Sequence, residues 1–304
     1  MLLELAIGDS YGSGFEFCNA NLKHNLAAYY VKHARHPHYP GCYTDDTQMS
    51  LAISELLLSN KEFTPLNIAS MFVSVFQRDP RTGYAHRFYD FIKDISSGKE
   101  FLEKISPDSE KSGAAMRSPP IGLLSDLEEV LAKTELQAKV THNTPNGILA
   151  AKAAALITHY FCYVCDINFN KSQLGNWLTS IIGGEWHTPY SKSKIGTSGI
   201  DCVHAAVTAI IRSDTLSQVL INSVEFTGDV DTVAAIAMAG ASLCLEIEND
   251  LSEALYFCLE DTPYGRDYIH ELDAELVGKL TKGKRTLRPN PLPPLHLNFN
   301  CNLC

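Results

Sequence analysis

Basic side chains are scarce in this sequence: 25 lysines and arginines stand against 35 aspartates and glutamates, a net charge of −10 at neutral pH. Nonspecific binding to nucleic acid or to an anionic membrane needs a basic surface that displaces counterions, so neither is expected, although an anionic ligand can still be held locally. The opening "MLLELAIGD" has no basic residue ahead of its apolar stretch, which is short, and it reads as a core helix rather than an export signal. No clean run of about 20 apolar residues of the kind a membrane span needs is present. The nearest approach, "GILAAKAAALITHYFCYVC", is interrupted by Lys152 and His159 and reads as a buried helix. Alternating strand patterns of any length are missing, as is any repeat of 20–50 residues. Nine cysteines, an odd number scattered along the chain, make no disulfide framework and suit a reducing, cytoplasmic setting. Two Cys-x-x-Cys pairs, Cys162/Cys165 and Cys301/Cys304, could in principle supply four zinc thiolates. The first sits in an apolar helical run and the second ends a proline-rich tail, so the cysteines are expected to act as small buried hydrophobes.

What the sequence does have is helical periodicity. At 304 residues and 45% hydrophobic composition the chain can bury a large core. After "TDDTQ" come Met49, Ala52, Ile53, Leu56 and Leu57, the stripe of an amphipathic helix. Segments 146–165 and 230–245 are apolar on most faces and should be central helices. Asp, Thr and Ser precede the apolar runs, and Gly and Pro separate them. The expected fold is therefore all-α, a single compact globule of orthogonally packed helices over residues 1–281, followed by a Pro-rich tail over 282–304.

Two oxygen-rich clusters interrupt this pattern. "YTDDTQ" places Thr44, Asp45 and Asp46 before one helix, and "FTGDVDT" places Asp229, Asp231 and Thr232 before another about 185 residues later. Asp and Thr at helix starts are ordinarily caps, since their oxygens accept the unpaired N–H groups of the first turn. One helix needs one cap, whereas these clusters are redundant. Close carboxylates in a partly dry site repel and call for protons or cations. With only oxygen donors and no interleaved histidine or cysteine, the ions favoured are Mg²⁺ or Mn²⁺, two of them if the helices meet. In "GDSYGSGFE", glycines 8, 12 and 14 suggest a loop leaving the first helix, with Glu16 following.

In order and spacing, "AIGDSYGSGFE", "YTDDTQMSLA" and "GDVDTVAAIAMAG" resemble the ADP-ribosylglycohydrolase family, with "DPRTGYA", "SGAAMRSPPIGLL" and "THNTPNGILAAKAAALI" as further matches between them. The resemblance implies an all-helical globule with a dinuclear Mg²⁺ or Mn²⁺ site at the base of a cleft. It implies Thr44, Asp45 and Asp46 on one metal, Asp229 and Thr232 on the other, and Asp231 bridging. Glu16 corresponds to a mobile acidic residue near the second metal, and either Glu16 or Asp46 would handle the catalytic proton. Gly83, Tyr84, Ser112, Gly113, Met116 and His142 fall in segments similar to those that cradle ADP-ribose. Backbone N–H groups at such turns hold a diphosphate without net positive charge. The sequence departs from the family pattern in three places: Thr227-Gly228-Asp229 replaces Gly-Gly-Asp, Lys111-Ser112-Gly113 replaces Gly-Asn-Gly, and "THNTP" carries one histidine where two are common.

Roles follow for four other residues. Asp9 should brace the first loop by hydrogen bonds, Arg117 should pin a neighbouring loop through a carboxylate, and Trp186 and Tyr190 should pack, with adenine stacking as the alternative. The implied activity is hydrolysis of the bond between ADP-ribose and a protein side chain, arginine first, by a monomer that binds no nucleic acid and no membrane. The competing readings are hydrolysis of O-linked ADP-ribose on serine or in O-acetyl-ADP-ribose, a catalytically silent crystallin-like relative, and a two-metal phosphoesterase.

Overall fold

Among the described residues, seven α-helices begin at a Ser, Thr or Asp whose side chain accepts a first-turn N–H. The computed structural model describes residues 1–34, 39–165, 169–192 and 194–282. Among these residues fourteen α-helices follow one another: α1 (Leu2–Ser13), α2 (Asp45–Leu58), α3 (Pro65–Arg78), α4 (His86–Ile92), α5 (Gly98–Lys104), α6 (Gly113–Met116), α7 (Leu127–Lys139), α8 (Pro145–His159), α9 (Leu174–Ile182), α10 (Gly199–Arg212), α11 (Leu216–Glu225), α12 (Val230–Ala241), α13 (Glu253–Phe257) and α14 (Arg266–Leu280). Thr64, Ser97, Asp126, Thr144, Ser198 and Thr215 cap α3, α5, α7, α8, α10 and α11, each accepting a backbone N–H of the first turn. No strand forms among the described residues, only isolated bridges. The fold is all-α, as the periodicity requires. The expected tail, Lys282 apart, lies outside the described residues together with Cys301 and Cys304.

The core is built on α1, α8 and α12. Every residue of α12 is buried, as is nearly every residue of α1. Apolar composition on all faces explains this, since each fully buried Leu, Ile or Val contributes roughly 1.5–3 kcal/mol relative to exposure. Helix α8 continues through a π-helical turn over Tyr160–Val164 that Cys165 N–H closes onto the Tyr160 carbonyl at 2.7 Å. Together they form a segment long and apolar enough to cross a membrane, but 72% of it is buried inside the protein, as in a core helix.

The glycines of "GDSYGSG" differ from expectation. Gly8 and Gly12 are inside α1, not in a loop leaving it. A Cβ on Gly8 would sit 2.5 Å from the Ala234 carbonyl oxygen, and one on Gly12 would sit 2.4 Å from the Asp231 Cα. These glycines are the contact surface that lets α1 lie directly on α12 and so bring Asp9 and Glu16 to the start of α12.

Candidate active site

Two of the longer helices start at a Thr or Asp that does not cap them: Thr44 before α2 and Asp229 before α12 make no side-chain cap. The first turn of α2 is satisfied instead from another helix. Asp9 on α1 accepts hydrogen bonds from Thr44 N–H at 2.9 Å, Thr44 Oγ1 at 2.7 Å, Thr47 N–H at 3.0 Å and Thr47 Oγ1 at 2.6 Å. Asp9 therefore braces the start of α2 rather than its own loop. That contact releases Asp45 and Asp46 from capping, and both point into the same space as the start of α12.

The carboxylates converge there. Oxygens of Asp9, Asp46 and Asp231 lie within 4.8 Å of one another, as do those of Glu16, Asp229 and Asp231, so the two groups share Asp231. Asp46 Oδ1 and Asp231 Oδ1 are buried without a hydrogen-bond partner. Among the described residues, none of Asp9, Asp45, Asp46, Asp229 and Asp231 is ion-paired with a lysine or arginine. Burial, and after it the neighbouring carboxylates, push Asp45, Asp46 and Asp231 well above the usual carboxylate range. Burial and then Glu16 raise Asp229, against hydrogen bonds from Asp231, Ser112 and Thr232. The N-terminal dipoles of α2 and α12 favour negative charge, but by too little to offset five buried acids. Orphaned acceptors and mutually repelling carboxylates in an oxygen-donor pocket fit hard divalent cations of the Mg²⁺ or Mn²⁺ kind.

The surrounding loops are fitted to this cluster. Gly83 has φ +104°, and a Cβ on it would fall 2.1 Å from Asp45 Oδ1, so only glycine can stand there. Tyr84 donates from its hydroxyl to Gln48 Oε1 at 2.7 Å and packs its ring on Phe76 and Phe88. Ser112 donates to Asp229 Oδ2 at 3.1 Å. The loop before α2 is locked from outside by Arg81, which pairs with Asp79 and Glu260 and stacks over the Tyr43 ring at 3.8 Å.

His142 is the other polar group of note. Arg117 donates to Thr141 Oγ1 at 2.8 Å, which leaves the Thr141 proton for His142 Nδ1, 2.6 Å away. That places the imidazole proton on Nε2, which is buried without a partner and faces Gly113. Burial, and then the charge of Arg117, hold the imidazole down to about 3. In the unfolded chain it would titrate near 6.5, so the unfolded state takes the proton first as pH falls. The stability this neutral ring contributes is whole above that pH and is lost on the way down. His142→Gln should therefore flatten the acid limb: the stability difference between parent and variant, from urea unfolding at pH 7 and pH 4, should shrink by about 2–3 kcal/mol.

The sequence profile of the ADP-ribosylglycohydrolase family matches residues 1–286. The chain belongs to this family. An ADP-ribosylhydrolase ARH3 from Xenopus tropicalis is 31% identical over 127 residues, 39% of this chain and 36% of that protein. The chain thus spans about a third of the length of this relative. An ADP-ribosylarginine hydrolase Tri1 from Pseudomonas putida is 24% identical over 267 residues, covering 79% of this chain and 68% of its own length. A solved structure described as an ADP-ribosylglycohydrolase-related protein complex superposes with a TM-score of 0.70 over 92% of this chain and 96% of its own, at 18% identity, which shows a shared fold.

Within this ADP-ribosylglycohydrolase fold Arg117 differs from its expected role, while Trp186 and Tyr190 pack as expected. Arg117 is buried without a carboxylate: it donates to Gln137 Oε1 and to the Gly113 and Gln137 carbonyls, and lies over the Phe72 ring. Trp186 and Tyr190 are buried packing residues, with Trp186 Nε1 donating to the Gly183 carbonyl. Met116 is in the core, where its carbonyl accepts from Ser50 Oγ at 3.1 Å. Thr227 does adopt φ +58°, the left-handed region that costs a β-branched residue at least about 1 kcal/mol. It is held there by Ile195, whose N–H donates to the Thr227 carbonyl at 3.0 Å, while Asp229 N–H reaches the Ile195 carbonyl at 3.4 Å. Two contributors were missed in the sequence. Segment 195–199 joins both site loops, since Ser112 N–H donates to Thr197 and Gly199 N–H to Glu110. Cys202 sets its Sγ 3.5 Å from Asp229 Oδ2. The Ser198 cap in "GTSGID" hinted at a helix start, but nothing local signalled either contact.

Proposed function

We propose that this protein is a metal-dependent hydrolase that releases ADP-ribose from modified protein side chains, with the N-glycosidic bond to arginine as its substrate. The observation that carries the reading is that the starts of α2 and α12 meet at Asp231, which belongs to both groups of carboxylates and, like Asp46, keeps a buried oxygen without a hydrogen-bond partner. Thr44, Asp45 and Asp46 would hold one divalent cation, Asp229 and Thr232 the second, and Asp231 both, with Glu16 beside the second. Such ions supply the positive charge that lets these acids ionise together and that orients hydroxyls of a bound ribose. Glu16 is the least buried of the acids and is suited to exchange a proton with water at the anomeric carbon, with Asp46 as the alternative. The Gly83 backbone, the N–H groups at Gly113 and His142 Nε2–H would form a rim of donors suited to a diphosphate and its riboses, with the Ser112 hydroxyl oxygen beside them as an acceptor for a ribose hydroxyl. Support for the arginine linkage comes from the Pseudomonas relative, which is named an ADP-ribosylarginine hydrolase.

The test is to incubate the purified protein and Mg²⁺ or Mn²⁺ with protein ADP-ribosylated on arginine or, separately, on serine. ADP-ribose release faster from the arginine substrate, abolished by EDTA and by Asp45→Asn/Asp46→Asn, is the expected result. Release only from serine would move the linkage, and release that survives EDTA and the double variant would refute the metal mechanism.

A further inference from the structure

The Cys162-x-x-Cys165 pair has no part in this reaction, and the structure gives Cys165 a different companion. Cys165 Sγ, Cys244 Sγ and a carboxylate oxygen of Glu246 lie within 4.8 Å of one another, a group that does not include Cys162. Neither Cys165 nor Cys244 is in a disulfide. We propose that Cys165, Cys244 and Glu246 form a second metal site, selective for Zn²⁺ and separate from the aspartate cluster, with its fourth position open.

Geometry and donor chemistry both support it. Zn–S of about 2.3 Å and Zn–O of about 2.1 Å at a tetrahedral angle separate sulfur from oxygen by about 3.6 Å and sulfur from sulfur by about 3.8 Å. Cys165 Sγ lies 3.6 Å from Glu246 Oε1. Two thiolates and one carboxylate select Zn²⁺ over Mg²⁺, the reverse of the all-oxygen cluster. Glu246 is already aimed, because the Lys171 backbone N–H donates to its Oε1 at 2.7 Å, the outer-shell contact that orients a ligand. The Lys171 ammonium is turned elsewhere, to Asp214 and the Ser213 carbonyl. Cys244 is buried, Cys165 half-buried and Glu246 exposed, so the site has a sealed floor and an open mouth. Three protein ligands and a solvent-facing position describe an exchangeable ion rather than a closed structural one. The site joins the C-terminal ends of α8 and α12, and α12 is 12 residues long, about 18 Å, with Asp229, Asp231 and Thr232 at its other end.

Cobalt is the probe, because thiolate-to-Co²⁺ charge transfer absorbs in the near ultraviolet and oxygen ligands do not produce it. The full reduced chain carrying Asp45→Asn/Asp46→Asn, which disables the first site, is titrated with Co²⁺. A charge-transfer band saturating at one equivalent, displaced by Zn²⁺ but not by excess Mg²⁺, is expected. Adding Cys165→Ser or Cys244→Ser should abolish it, and Glu246→Gln should weaken binding by roughly tenfold or more. Cys165 is half-buried, so its serine variant should keep the parent's melting temperature even if the Cys244 variant does not. No sulfur band in the reduced protein, or a band that persists in a folded Cys165→Ser variant, overturns the proposal. Neither result bears on ADP-ribose release, which is read separately.

Discussion

Asp231→Asn should abolish turnover and at the same time raise the melting temperature of the metal-free protein. The loss follows from its place in both carboxylate groups: in the proposed reaction one substitution would weaken two cation sites, and a drop on the order of 10³ in turnover is expected. The gain in stability follows from the same geometry. Burial first, and then Glu16, Asp229 and Asp46, raise Asp231 far above its unfolded value. A carboxylate raised in this way lowers stability at neutral pH, and the penalty shrinks as pH falls from its folded titration toward the unfolded carboxylate range near about 4. Asparagine removes the charge and keeps an amide donor for Asp229. The apo variant should therefore melt a few degrees higher than the apo parent at pH 7, by a margin that narrows toward pH 5, at about 2–4 °C per kcal/mol. Added Mg²⁺ or Mn²⁺ should reverse the order, because a ligand that binds only the folded state stabilises the parent more. Calorimetric scans of both proteins with and without metal decide it; an apo variant that melts below the apo parent at pH 7 contradicts the electrostatic account.

Gly12→Ala is expected to destabilise the fold and to cost activity beyond that loss. In a helix interior alanine is ordinarily favoured over glycine by about 0.5–1 kcal/mol. Here the added Cβ would lie 2.4 Å from Asp231 Cα and 2.8 Å from both Asp231 N and the Val230 carbonyl oxygen. All three are backbone atoms of α12, so no rotamer change relieves the clash and α1 must move away from α12. Overpacking of this kind costs about 3 kcal/mol or more, a fall of roughly 6–12 °C in melting temperature. Activity should fall further than stability alone explains, because the displaced backbone carries Asp231 and the displaced helix carries Asp9. Gly278→Ala is the control: it is also helical, has nothing within 4 Å of its added methyl, and should be neutral or mildly stabilising. Melting curves and rates measured well below the transition would separate the two effects; equal behaviour of the two variants would remove the close-contact explanation.

How much of this was readable beforehand depends on how local each cause is. The stripe from Met49 to Leu57, the all-round apolarity of 146–165 and 230–245 and the absence of strand alternation establish an all-α fold, because helix period and burial are written within a few turns of chain. Thr44–Asp46 and Asp229–Thr232 stood out for a related reason: more oxygen donors gather at one helix start than capping can use. Other features are decided between distant segments. Asp9 frees Asp45 and Asp46 by satisfying α2 from α1, Gly8 and Gly12 serve helix contact rather than a loop, and Ile195 holds Thr227 at φ +58°. Arg117 found amide and carbonyl oxygens where a carboxylate was expected, and Cys165 found Cys244 rather than Cys162. Local order along the chain specifies which side chains could do chemistry and that helices carry them. Tertiary structure alone decided which of them meet, since a hydrogen-bond acceptor, a backbone contact or a ligand atom within a few ångströms can come from any part of the folded chain.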